Sequence, residues 1–319
     1  MSALEVISPG PLTLLQDVGR FGGAQLGLSQ GGPMDLHAYC WANRLLGNPM
    51  SAAVLEITLG NASFVARQDM TLALCGADMS ASAAGKPQAN WRSFQLRAGQ
   101  QLKLGMTSQG VRSYLAVAGG FQTPVALGSR ATVLRNKLGG LNGEKVASGE
   151  LLTVSKDSHT KVLHKVPDQF QPDYSQPVCL SLLPGAQHAD FDEQTLSALL
   201  SGRYRISPQS DRMGIRLEGP PVSASASAIN AKGMISEGIT MGAMQLPPDG
   251  QPIVLMSDRQ TLGGYPKPFS LSRRAQWRLA QCMPGTEVSF CAGDLQLALR
   301  QWQDFVRFFN LWPETGANQ

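Results

Sequence analysis

Glu56-Ile57-Thr58-Leu59-Gly60 and Glu237-Gly238-Ile239-Thr240-Met241-Gly242 are the two stretches of this sequence that decide its fold. Each leads through a turn into an apolar run. The first run ends at Leu74-Cys75-Gly76-Ala77-Asp78 and the second at Leu255-Met256-Ser257-Asp258. Short runs that are apolar or alternating, with Gly, Pro, Asp or Asn at their ends, carry the period of β-strands. Other features echo in the same order. Asp17-Val18-Gly19-Arg20 matches Asp211-Arg212-Met213-Gly214, and Gly99 and Gly285 each stand just before a strand-like run. One such match is cheap, because Gly and Asp recur in turns; several in order favour a duplicated β domain over coincidence.

Working outward, strands are expected at 4–7, 53–59, 71–74, 101–104, 113–118, 178–183, 252–256, 287–290 and 296–299. Helices are expected at 34–46, where Gly47-Asn48-Pro49 is a stop signal, at 190–200 and at 301–311, with a fourth candidate at 271–281. Residues 155–176 are polar, contain Pro167 and Pro172 and lack periodicity, which marks a linker between halves. The expected fold class is mainly β with a few short helices, in two domains, 1–165 and 166–319.

Composition agrees. At 319 residues the chain is long for one core, and 43% hydrophobic residues are enough for two. Charged residues are only 16% while Gly (34) and Pro (20) are plentiful, which suits strands and turns over long charged helices. The formal charge is +4, but the basic residues are scattered, with Arg273-Arg274 and Arg278 the nearest approach to a run. No nucleic-acid partner is therefore expected. No apolar stretch approaches membrane-spanning length and Met1-Ser2-Ala3-Leu4-Glu5 has no leader character, so a cytoplasmic location without membrane association is expected. Cys40, Cys75, Cys179, Cys282 and Cys291 are widely spaced with no CxxC pair and read as reduced, mostly buried thiols; Cys75 and Cys291 sit inside apolar runs. His37, His159, His164 and His188 are dispersed, so no metal site is expected.

Three clusters can carry chemistry. In the first, Gln16-Asp17-Val18-Gly19-Arg20 leads to Gly31-Gly32-Pro33-Met34-Asp35, and a glycine-rich loop at a helix start can present N–H groups to an anion. Turn glycines with a helix-capping Asp35 explain the same residues. The second is Ser210-Asp211-Arg212-Met213-Gly214-Ile215-Arg216-Leu217-Glu218, where guanidinium groups suit a substrate carboxylate or simply pair within a hairpin. The third spans 235–268. There a strand empties into Ser257-Asp258-Arg259-Gln260 and then Gly263-Gly264-Tyr265-Pro266-Lys267, a usual way to place polar side chains at a barrel rim. Asp258 can serve as a general base, Tyr265 as a donor, and Lys267 or Arg259 as anion partners.

Together, the motifs QDVGR (16–20), GPMD (32–35), LEITLG (55–60), SDRMGIRLEGP (210–220), SEGI (236–239) and GGYP (263–266) resemble the family of KipA, the second subunit of allophanate hydrolase and the C subunit of 5-oxoprolinase. The resemblance runs from about Leu4 to Phe309. It implies tandem cyclophilin-like β-barrels and ATP-coupled opening of the 5-oxoproline lactam to L-glutamate, in company with 5-oxoprolinase subunits A and B. ATP enters as a co-substrate of the complex. The chain has neither a Met-Lys-Met biotin-attachment motif nor an ATP-grasp-like glycine loop, so no bound biotin is expected.

Opening a resonance-protected lactam calls for cations on the phosphate and carboxylate groups and for acid/base residues. On that expectation Asp17, Asp35, Glu237 and Asp258 are the catalytic candidates. Arg20, Gly32, Met34, Arg212, Gln245, Arg259, Tyr265 and Lys267 are the substrate-binding ones. Two other functions fit the resemblance: a carboxyltransferase-like subunit of a urea or amide carboxylase, and a non-catalytic KipA-type regulator that binds a kinase inhibitor. A subunit of a complex should carry an apolar patch, and Phe305, Phe308, Phe309, Leu311 and Trp312 on the last helix are candidates; closing the chain's own barrel is the alternative.

Overall fold

The computed structural model describes residues 3–156, 158–160, 162–222 and 234–311. The chain forms two compact units. One comprises Met1–Arg20, Gly31–Tyr174 and Gln301–Gln319, the other Phe21–Gln30 and Ser175–Arg300.

The first unit is built on two sheets. Across the six-stranded sheet the order is Leu151–Thr153, Ala3–Pro9, Gly60–Ala66, Gln101–Met106, Ser82–Ala83 and Lys86–Pro87. The five-stranded sheet runs Leu12–Gln16, Val54–Thr58, Gln109–Val117, Met70–Asp78 and Arg92–Leu96. Strand alternation sorts the side chains. Leu55 and Ile57 join Leu15, Leu72, Leu74, Leu115 and Val117 in a core shared with Leu4, Val6, Phe64, Leu102 and Leu104 of the other sheet. Val54, Ala73, Cys75, Tyr114 and Ala116 form a second cluster with Ala38, Tyr39, Cys40 and Ala42 of helix α1 (Leu36–Arg44).

Gly60 makes the turn between Val54–Thr58 and Gly60–Ala66 with φ +85°, and a Cβ there would lie 1.9 Å from the Gly105 carbonyl oxygen. Gly242, its echo, has φ +88°; Gly99 and Gly285 are matched as well, at +81° and +83°. The paired glycines therefore share the left-handed conformation that other residues resist.

The second unit is a closed seven-stranded barrel ordered Val178–Pro184, Phe269–Leu271, Ala243–Gln245, Ile253–Leu255, Gly214–Glu218, Tyr204–Ile206 and Glu287–Ala292. Glu287–Ala292 returns alongside Val178–Pro184 in parallel, which closes the ring. Leu180, Leu182, Tyr204, Leu217, Met244, Val254 and Val288 are buried in this unit. Helices α2 (Glu193–Ser201) and α3 (Arg273–Leu279) start at Asp192 and Ser272, whose side chains accept from Thr195 N and Ala275 N. A two-stranded ribbon, Glu237–Gly238 with Leu262–Gly263, completes the unit. The chain is thus mainly β, with few and short helices.

Three local expectations change. Residues 296–299 are helical, within α4 (Leu295–Phe309). Four alternating residues mimic a strand, but Asp294 accepts from Leu297 N and starts a helix that the longer sequence sustains. The expected linker is largely stitched to the first unit: Thr71 N donates to Ser158 O, Val166 N to Trp91 O, and Ser93 exchanges hydrogen bonds with His164. Its residues 157 and 161 lie outside the described residues. Cys291 is exposed, because alternation turns it to the outer face of its strand, while Cys75 is buried. On α4, Phe309 is buried with Leu311 against Trp41 of α1 and Phe305 is partly buried there, whereas Phe308 is exposed; Trp312 lies outside the described residues. Among the described residues no helix is long and apolar enough to cross a membrane.

Candidate functional site

In the first unit, the strand end at Gln16 and the start of α1 gather Asp17, Arg20, Gly32, Met34 and Asp35. Asp17 Oδ1 accepts from Gly19 N at 2.9 Å and Ser129 Oγ at 2.6 Å, and Oδ2 accepts from Arg130 N at 2.6 Å. Arg20 is buried and donates through Nε to Ala126 O at 3.0 Å. Its Nη1 is buried without a hydrogen-bond partner among the described residues. Burial pulls the Arg20 pKa down, and the Asp17 charge opposes that pull. Gly32 N donates to Gln16 Oε1 at 3.0 Å. The Met34 side chain is buried and its N donates to Glu56 Oε2 at 2.9 Å.

Asp35 is the N-cap of α1: its Oδ1 accepts from Ala38 N at 3.1 Å. It also belongs to a buried polar chain. Asp35 N donates to the Tyr114 hydroxyl at 2.8 Å, that hydroxyl donates to Glu56 Oε2 at 2.8 Å, and the Tyr174 hydroxyl donates to Asp35 Oδ2 at 3.2 Å. Burial first, then the Glu56 and Asp35 charges, push the Tyr114 hydroxyl pKa well up, so it stays a proton donor. Glu56, Tyr114 and Tyr174 were not among the sequence candidates. A single acid inside the apolar run Val54-Leu55-Glu56-Ile57 is the signal that could have found Glu56; the tyrosines are remote in sequence and carry none.

In the second unit, Arg212 and Asp258 form a buried bidentate pair, Nε to Oδ2 and Nη2 to Oδ1, both at 2.9 Å. The pairing follows from the ladder, since Gly214–Glu218 is hydrogen-bonded to Ile253–Leu255 and Asp258 N donates to Arg212 O. Ser29 lies against the same turn, its hydroxyl 3.1 Å from Asp258 O and 2.8 Å from Arg259 O. Arg259 donates through Nε to Ile239 O at 3.1 Å. Burial, with the Arg273 charge adding and Asp258 opposing, brings its pKa down to about 10, still cationic at neutral pH.

Lys267 lies beside the ribbon with its ammonium 2.7 Å from Glu237 Oε1 and 3.2 Å from Tyr265 O. The Lys267 side chain is 4% exposed and that of Glu237 41%, so the pair has one buried and one open end. Gln187 Nε2 also donates to Glu237 Oε1, at 2.8 Å. Hydrogen bonds from Lys267 and Gln187 hold the Glu237 carboxyl below its ordinary range. Tyr265 is 45% exposed. Gln245 is buried at 2% exposure, and its amide Nε2 has no hydrogen-bond partner among the described residues. A Cβ on Gly263 would stand 2.7 Å from that nitrogen and 2.5 Å from Ile239 Cδ1, so the ribbon, Gln245 and Ile239 meet at one point. Buried donors are almost always paired, which makes this amide a natural place for an acceptor to arrive.

A β protein of two units, one of them a closed seven-stranded barrel, is the class that this fold defines. Residues 26–292 match the family model described as carboxyltransferase domain, subdomain A and B. The chain belongs to that family. It is 36% identical over 308 residues to the C subunit of 5-oxoprolinase from Escherichia coli K12, covering 96% of each chain. It is 31% identical over 327 residues to "Putative urea carboxylase" of Emericella nidulans, covering 97% of this chain and 26% of that one. The crystal structure of TTHA0988 superposes with a TM-score of 0.82 and 34% identity over 91% of this chain; the match spans only 56% of the TTHA0988 chain.

Proposed function

We propose that this chain is the C subunit of an ATP-dependent 5-oxoprolinase, opening the 5-oxoproline lactam to L-glutamate together with subunits A and B in the cytoplasm. The observation that carries this reading is the end-to-end likeness, 96% of both chains, to a protein of that name. The second unit supplies chemistry that fits. A lactam presents one carbonyl acceptor and, in 5-oxoproline, one carboxylate. Gln245 Nε2 is a buried donor awaiting an acceptor and suits the carbonyl. Lys267 and Arg259 are the cations that suit the carboxylate, with Tyr265 at the open side as a further donor. Glu237, ionised and partly open, is the acid/base candidate best placed to exchange protons with solvent. ATP is the co-substrate of the complex.

The test is reconstitution. The purified chain, with subunits A and B, 5-oxoproline and ATP, should yield glutamate and phosphate only when all three proteins are present. Gln245→Ala and Lys267→Met should raise KM for 5-oxoproline by about tenfold or more, the cost of one lost charge-assisted or buried hydrogen bond. Undiminished turnover without this chain would sink the reading.

A further inference from the structure

The ion pair of Glu237 and Lys267 is held from both sides by a third side chain, Gln187. Its place follows from the barrel ladder. Pro184, the last residue of Val178–Pro184, pairs with Phe269, so the chain leaving that strand turns beside Lys267 and Pro268. Gly185 N donates to Pro268 O at 2.9 Å and Gln187 N to Lys267 O at 3.2 Å. A Cβ on Gly185 would stand 2.2 Å from Lys267 O, so only glycine lets the turn close this tightly. Gln187 then reaches two ways. Its Oε1 accepts from Lys267 N at 3.1 Å, and its Nε2 donates to Glu237 Oε1 at 2.8 Å. A backbone N–H can only donate, so Lys267 N sets which end of the amide faces the carboxylate. Lys267 Nζ meets the same Glu237 Oε1 at 2.7 Å. Both donors land on Oε1, and no hydrogen bond among the described residues reaches Oε2.

We propose that Gln187 is a positioning residue for the lactam-opening reaction, aiming Glu237 so that Oε2 is the oxygen that exchanges the proton. An ammonium is a rotatable point donor, whereas a planar amide pinned by a backbone N–H fixes the direction of its bond. Ionised Glu237 takes its proton at Oε2, and Gln187 neither gains nor loses one. This role rests on the assignment of Glu237 as the acid/base group of the proposed reaction.

Two variants test it, as the full chain and in the complex with subunits A and B. Gln187→Met removes both polar atoms. Gln187→Glu keeps an acceptor for Lys267 N but replaces the donor to Glu237 with a like charge. NMR titration of the full chain should show the Glu237 pKa raised in both, and more in Gln187→Glu. In the complex, kcat should fall about tenfold or more with both, and KM for 5-oxoproline should change by less. The acid limb of kcat/KM should move up in step with the Glu237 titration, because protonated Glu237 is no base. Lys267, the cation on Glu237, is retained throughout, and His188 on the same turn faces Pro268 O and the Phe269 ring. A Gln187→Glu complex with the wild-type kcat and pH profile would show that Gln187 only braces the turn, and would overturn the proposal. An unmoved Glu237 titration would overturn it as well. A wild-type complex that forms no glutamate would instead overturn the 5-oxoprolinase function, while the titration still reads the hold of Gln187 on Glu237.

Discussion

Asp258 shows how a residue that looks catalytic in sequence can be committed elsewhere in three dimensions. Both its carboxylate oxygens accept from buried Arg212. Asp258→Ala strands that guanidinium in the interior, at a cost of about 3–5 kcal/mol. Urea denaturation should read that loss directly, so a dead Asp258→Ala enzyme reports on the fold before it reports on a general base. Gly263 offers a cleaner probe. An added Cβ meets Ile239 Cδ1 at 2.5 Å and Gln245 Nε2 at 2.7 Å, both ends of flexible side chains. Gly263→Ala should therefore keep its melting temperature within a few degrees while displacing the unpaired amide, and KM for 5-oxoproline should rise by about ten- to a hundredfold. Glu237 gives a sign. Its folded pKa is depressed, so the stabilisation from Lys267 and Gln187 is present above the ordinary glutamate range and fades as pH falls through the folded value. In Lys267→Met, NMR titration of Glu237 should move up towards the ordinary value, about 4.3.

Elements carry the next scale, and α1 is where capping and catalysis can be separated. Asp35 caps that helix through Oδ1. Asp35→Ala should cost about 0.5–2 kcal/mol, and Asp35→Asn, which keeps the cap oxygen, only a fraction of that. If turnover falls with both while stability falls only with alanine, the charge of Asp35 has a role beyond the helix. Much at this scale was legible beforehand. The strand at Val178–Pro184 and the helix over Leu36–Arg44 follow from local period and stop signals, which are properties of neighbouring residues. Residues 296–299 misled because four positions fit both periods, and 155–176 because polar composition hides backbone pairing to Trp91, Ser93 and Thr71. The chain from Tyr174 through Asp35 and Tyr114 to Glu56 could not be read at all. Its members come from four separate segments that only folding brings together.

On the scale of the whole molecule, chemistry separates the two enzymatic functions open to this family. The chain matches a 5-oxoprolinase C subunit end to end but only 26% of a putative urea carboxylase. A carboxylase built on this chain would need biotin carried outside these 319 residues, which hold no Met-Lys-Met attachment site. Avidin sequesters biotin wherever it is attached, so its effect depends on the chemistry and not on which chain carries the group. With subunits A and B present, avidin should leave glutamate formation unchanged, and labelled bicarbonate should not appear in any urea-derived product. Avidin-sensitive fixation of bicarbonate would move the chain to the carboxylase function. Gln245 and Lys267 would then face a urea carbonyl and a carboxyl group in transit instead of a lactam and its carboxylate.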